Sequence, residues 1–254
     1  MMASTALFSW ALGAMLASIR VGMMFAAAPV FGNVPVPKSV KVILIVGLGA
    51  GFSTKLNIGS IDTMELSWLV SAIISEMLIG AAMASALFAG FAAFNVAGRL
   101  LDFQIGYSIA GLLDIATKNN MPLIGSIFSM TAVLMFFAID GHLAIFRVVQ
   151  LSFDALPIGS SVFSLNLGSL IAYFGSCFAF GFAVVAPVVL CLFLVDIGMA
   201  FMSRTMPQMN VFVLSLSLKV IVGLIVLAIS FPFAGSIIRK IFDSIFESWN
   251  QLLG

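Results

Sequence analysis

Four ionised side chains stand inside otherwise apolar runs of this chain: Arg20, Glu76, Asp196 and Lys219. A bare Asp or Lys at the centre of a bilayer costs roughly 2.5–3.5 kcal/mol on insertion scales. All four turned to lipid would cost on the order of 10 kcal/mol, comparable with a domain's entire net stability. They must therefore face protein or water. Two kinds of chemistry then suit them: lining a transport route through a helix bundle, or tying helices and subunits together in a fixed register. Arg204, Gln208 and Asn210 stand at the junction of the two runs that hold Asp196 and Lys219, and belong to the same set of contact candidates.

Catalysis finds little support. Asp140 and His142 are two positions apart and do not share a helix face. Asp140 and Arg147 can share one, which suits an interhelical tie. A lone His needs partners before it can relay protons. Cys177 and Cys191 lie on one apolar run, about 21 Å apart if it is helical, well beyond disulfide reach. Neither GxSxG, HExxH nor a Walker loop occurs. The GLGAG of Gly47–Gly51 lacks the third glycine and the preceding strand of a dinucleotide fingerprint, so close helix packing is its better reading. The expectation is a protein without enzymatic activity, metal or cofactor.

Composition sets the environment. Of 254 residues, 62% are hydrophobic and 8% charged, with mean hydropathy +1.23. Soluble domains carry about 25% charged residues, so this is a protein of a membrane or a large assembly. A formal net charge of +1 argues against nucleic acid as a partner. Basic residues fall in successive links, so no side gains the usual positive bias. Arg20 interrupts the first apolar run and no basic residue precedes it, unlike a signal peptide.

These residues need long helices to position them, and the fold class expected is all-α. Apolar runs cover about 7–31, 40–52, 66–94, 122–151, 167–202 and 211–233. The second is short for a span, which takes about 20 residues. The fifth is too long for one upright span, and Pro187 breaks or kinks it. Between the third and fourth, the Gly-punctuated stretch 95–121 suits a re-entrant or lumen-facing loop, or equally a surface connector. The tail alternates Ile237, Ile238, Ile241, Ile245, Trp249 and Leu252 with Arg239, Lys240, Asp243 and Glu247. It reads as an amphipathic helix, lying on the bilayer interface or docked on partner helices.

Several fragments in a fixed order carry a family resemblance. They are Arg20-Val21-Gly22, Ala28-Pro29-Val30-Phe31-Gly32 and Pro37, then Glu76, Gly80, Ala97-Gly98, Asp102-Phe103-Gln104-Ile105-Gly106 and Asp114, then Asp140-Gly141-His142, Ser152-Phe153 and Leu156-Pro157-Ile158-Gly159. The best signature is Asp196-Ile197-Gly198, then Arg204, Pro207-Gln208-Met209-Asn210-Val211-Phe212 and Lys219. The chain resembles the FliR family of the flagellar type III export gate and its virulence-secretion counterparts. It departs at Ile115, where the family often has Pro after the acid, and at Ser215 and Ser217, where Gly and Pro are common before the Lys.

The resemblance implies one copy of this chain in a helical hetero-oligomer with FliP-type and FliQ-type subunits. It implies a FliP-like part over about 1–165, a FliQ-like hairpin over about 166–235 and the tail helix 236–254. FlhB-type and FlhA-type proteins would cooperate, and unfolded rod, hook and filament proteins would be the substrates. The complex would sit in the bacterial inner membrane at the flagellar basal body, among lipid but partly raised toward the periplasm. The family's channel plug maps onto Gly106–Asp114, with Gly106, Tyr107, Ile109, Gly111, Leu112, Leu113 and Asp114 as gate candidates. The alternatives are an injectisome export subunit and, less well supported, an independent secondary transporter using Glu76, Asp196 and Lys219; an intramembrane enzyme comes third.

Overall fold

Apolar runs in a membrane satisfy their backbone within each segment, which selects helices. The computed structural model describes residues 2–27, 37–53, 66–108, 122–160 and 166–253. Among these residues every regular element is helical: α1 (Met2–Ala27), α2 (Lys38–Ser53), α3 (Leu66–Ile105), α4 (Leu123–Ala138), α5 (Gly141–Ala155), α6 (Leu167–Thr205), α7 (Val211–Ser230) and α8 (Gly235–Leu253). A short 3-10 turn, Phe231–Ala234, links the last two. By length and composition α1, α3, α6 and the stretch Val211–Leu253 can each cross a membrane, and α4 with α5 makes a fifth candidate if counted as one broken span.

Three elements differ from what the residues suggest. Helix α3 continues through Asn95–Ile105, where irregular backbone was an option. Alanine and leucine there favour a helix, and successive turns bury Ala97, Leu101 and Ile105. The fourth apolar run is two helices, not one. It breaks at Asp140, whose φ of 56° lies in the left-handed region that Asp tolerates better than most residues. Conversely α6 is one continuous helix with Pro187 inside it, so the proline does not split the run in two.

The described chain forms two compact units. The first comprises Met1–Ala89, Ile139–Phe174 and Ser244–Gly254; the second comprises Gly90–Ala138 and Gly175–Asp243. The divisions fall inside α3, α6 and α8.

In the first unit, α1, α3 and α5 bury Leu16, Val21, Ile79, Met83, Leu87, Ile145 and Val149. Here α1 lies against α2 so closely that a Cβ on Gly49 would collide with the backbone of Ser18. Gly47 and Gly51, the pair at GxxxG spacing, have open space instead, so the close approach runs through the glycine between them. The end of the chain closes this core. Trp249 is fully buried and donates its indole N–H to the Met83 carbonyl at 2.9 Å.

In the second unit the rings of Phe91, Phe94, Phe136 and Phe242 pack at centroid distances of 5.5–5.8 Å. Val185, Val188 and Leu192 of α6 are buried as well. Ile238, Ile241, Phe242, Ile245, Trp249 and Leu252 of α8 are all buried by this chain itself. The apolar face of α8 thus packs within its own subunit and does not lie on a bilayer surface.

Candidate functional site

Arg20 and Glu76 meet in the first unit. Arg20 projects from α1 and Glu76 from α3, and both are buried to 1% exposure or less. Their contact is a two-pronged fork: Arg20 Nε to Glu76 Oε2 at 2.5 Å and Nη2 to Oε1 at 2.9 Å. The remaining guanidinium protons reach the end of α5. Nη1 donates to the Ser152 carbonyl at 2.8 Å and to its Oγ at 3.3 Å, and Nη2 donates to the Leu156 carbonyl at 2.9 Å. The Ser152 carbonyl also accepts the Leu156 N–H at 2.9 Å, so the guanidinium supplies its second bond, and the partial negative charge of a helix C-terminus suits a cation there. Phe153 covers the guanidinium, 4.3 Å from the ring centroid. Glu76 Oε1 also accepts the Gly159 N–H at 3.3 Å. The helices can come this close because α3 carries Gly80, whose missing Cβ would lie 2.6 Å from the Arg20 carbonyl.

A second anchor lies at the end of α3, in the second unit. Asp102, 2% exposed, accepts the N–H groups of Ile124 and Gly125 at 2.9 and 2.8 Å. A carboxylate on the first free N–H groups of a helix satisfies orphan donors and opposes the helix dipole. Gly98 brings α3 onto the start of α4, since a Cβ there would lie 2.5 Å from the Gly125 Cα. Gly106 then ends α3 with φ 100°, a conformation that glycine takes without cost.

The third group spans the α6–α7 hairpin. Lys219 Nζ lies 2.6 Å from Asp196 Oδ1, the side chains being 20% and 41% exposed. Around the pair the hairpin is apolar and bare: Leu190, Phe193, Leu194, Phe201, Phe212, Ile221, Ile225 and Ile229 are all exposed. In α7 only Gly223 is fully buried. Arg204, in the last turn of α6, and Gln208 are exposed at the tip. Asn210 caps α7, its side chain accepting the Val213 N–H at 3.4 Å.

The structure thus joins Arg20 to Glu76 and Asp196 to Lys219, and leaves Arg204 and Gln208 outward. Among the gate candidates, Gly106 ends α3 and Tyr107 follows it, while Ile109, Gly111, Leu112, Leu113 and Asp114 lie outside the described residues. Neither Ser152 nor Asp102 is among the contact candidates. A serine in an apolar helix carries no signal of its own, and both stand out only as parts of the family fragments Ser152-Phe153 and Asp102-Phe103-Gln104-Ile105-Gly106. Among the described residues no three His, Cys, Asp or Glu side chains gather as a metal site. The Arg20–Glu76 pair, the Asp196–Lys219 pair and Asp102 each connect helices, and so fix their geometry.

Comparison with known proteins agrees in kind. A family described as bacterial export proteins, family 1, matches residues 11–245. The flagellar biosynthetic protein FliR of Bacillus subtilis (strain 168) is 31% identical over 246 residues, 94% of this chain and 93% of that protein. FliR of Escherichia coli (strain K12) is 28% identical over 232 residues, 90% of this chain and 88% of that protein. The surface presentation of antigens protein SpaR of Shigella flexneri is 24% identical over 216 residues, covering 82% and 83% of the two chains.

Proposed function

As the chain belongs to the bacterial export proteins of family 1, we propose that it is a subunit of the flagellar type III export gate in the inner membrane. In this reading unfolded rod, hook and filament proteins pass through a channel built by this chain with FliP-type and FliQ-type subunits, served by FlhB-type and FlhA-type proteins. Residues about 1–165 take the FliP-like role, 166–235 form the FliQ-like hairpin and 236–254 the closing tail.

The observation that carries the reading is the α6–α7 hairpin. It exposes large apolar side chains along both helices and holds one half-exposed ion pair among them. Lipid covers the first at no cost but not the second; a neighbouring helix of similar make-up covers both. Helix length adds support. The 40 residues of α3 and the 39 of α6 measure about 60 Å at 1.5 Å per residue, twice the roughly 30 Å hydrocarbon core. Helices of that length suit a complex standing partly out of the bilayer on the periplasmic side.

The resting channel must hold back ions, and an apolar constriction can do so by dewetting. Gly106–Asp114 supply that seal, with Tyr107, Ile109, Leu112 and Leu113 as its apolar surface. The similarity to SpaR supports a second reading, an injectisome subunit with the same architecture and different substrates.

Co-expression tests the assignment. An export-gate subunit should purify in good yield only with its FliP-type and FliQ-type partners, and cells lacking it should fail to export hook and filament proteins. A chain that purifies alone as a stable, ion-transporting protein would overturn the assignment in favour of a secondary transporter.

A further inference from the structure

Val211–Leu253 is the barest of the candidate spans: 6% of its most apolar window is buried, against 67% for α3. Four large side chains stand out from it at every fourth position, Ile221, Ile225, Ile229 and Phe233, between 54% and 78% exposed. No polar side chain occurs from Val220 to Ile229. The pattern then changes within two turns. Ser236, Arg239, Lys240 and Asp243 are exposed in the first turns of α8, while Ile238, Ile241 and Phe242 are buried in the subunit itself. Arg239 and Lys240 form no ion pair among the described residues. The whole strip lies in the second unit.

These dimensions match one leaflet of lipid. From Ile221 to Phe233 the rise is about 18 Å at 1.5 Å per residue, and half of a roughly 30 Å hydrocarbon core is about 15 Å. A neighbouring helix has a polar contact to meet at Asp196 and Lys219; beyond them the ridge offers none until the charged turn. Acyl chains cover such a ridge at no cost, and long cationic side chains at its end reach the headgroup level. Helical side chains lean toward the N-terminus, which brings Arg239 and Lys240 back toward the ridge. Asp243 follows one turn farther on the same face. Cations first and a carboxylate beyond them is the order that meets a phosphate followed by an ammonium. We infer that the end of α7 and the first turns of α8 bind an aminophospholipid of the membrane. Its acyl chains lie along Ile225, Ile229 and Phe233, its phosphate is held by Arg239 and Lys240, and its ammonium faces Asp243. Such a lipid fixes the height at which this edge of the subunit leaves the bilayer. The inference needs a membrane and does not depend on what the complex transports.

The test puts a benzophenone amino acid in place of Ser236, between the ridge and the cations. The protein, in whatever assembly it purifies, is reconstituted into vesicles of equal parts phosphatidylethanolamine and phosphatidylglycerol. Irradiation should give mainly an adduct with the mass of one phosphatidylethanolamine, and Arg239→Gln with Lys240→Gln should lower it several-fold. Asp243→Asn should keep the yield and lose the preference for phosphatidylethanolamine; an unchanged preference would overturn the ammonium contact. A cross-link to a neighbouring subunit would mean that protein covers the strip, and the site falls. It falls equally if the lipid adduct is indifferent to the two cations, which is unselective solvation by the bilayer, or if no lipid adduct forms. Should the double variant fail to assemble, the parent decides in vesicles where diacylglycerol replaces part of the phospholipid. Adducts with phosphatidylethanolamine beyond its share support the site, and adducts in proportion to composition overturn it.

Discussion

Arg20 shows what a single charged residue does in this protein. Its guanidinium is shared between a carboxylate on α3 and two carbonyls at the end of α5. Only a planar fork can serve all of these at once. Breaking a buried pair by removing one partner costs about 3–5 kcal/mol, because the other charge is left uncompensated. Glu76→Gln should therefore sharply lower recovery of the assembled complex, and Arg20→Lys should do nearly as much harm despite keeping the charge. Yield and thermal melting of the detergent-solubilised complex check both; a Lys variant that melts like the parent would refute the fork. Sequence shows that Arg20 and Glu76 need partners, since each interrupts an apolar run. It does not show that they choose each other across 56 positions, nor that Ser152 and Leu156 complete the set, because backbone carbonyls belong to every residue.

At the level of the helix, legibility follows the strength of the local pattern. The tail helix is plain from its alternation of apolar and charged positions, but the partner for its apolar face is a matter of tertiary packing: Met83 and neighbours in one unit, the phenylalanine cluster in the other. The hinge at Asp140 and the extension of α3 to Ile105 were hidden for the same reason, that neighbouring turns decide whether a marginal stretch stays helical. Trp249→Ala removes a fully buried ring and should cost about 3–5 kcal/mol. Trp249→Phe keeps most of the packing and loses the bond to Met83, about 0.5–1.5 kcal/mol, since that carbonyl keeps its donor within α3. Limited proteolysis should cut the tail quickly in the first variant, slowly in the second and least in the parent.

For the whole molecule, composition declares a membrane or assembly protein, and the all-helical architecture follows from it. Apart from the strip at the end of α7, which bare faces meet protein and which meet lipid is a property of the complex, so it is not written in one chain. The Asp196–Lys219 pair offers a handle. Asp196→Lys places two like charges together in a poorly hydrated setting and should reduce complex recovery; adding Lys219→Asp should restore much of it. Co-purification with the partner subunits measures this, and a double variant no better than the single would mean that the pair matters through its surroundings rather than through itself.

Pro187 has a consequence of its own. The helix α6 runs through it unbroken, yet proline has no N–H to offer the carbonyl one turn earlier, that of Ala183. Both residues are exposed, and the large apolar side chains of Phe182 and Leu190 are exposed beside them. A lone acceptor in such a place draws a donor to it. The hairpin thus carries, besides the Asp196–Lys219 pair, a polar notch that suits a hydroxyl or amide on whatever lies alongside.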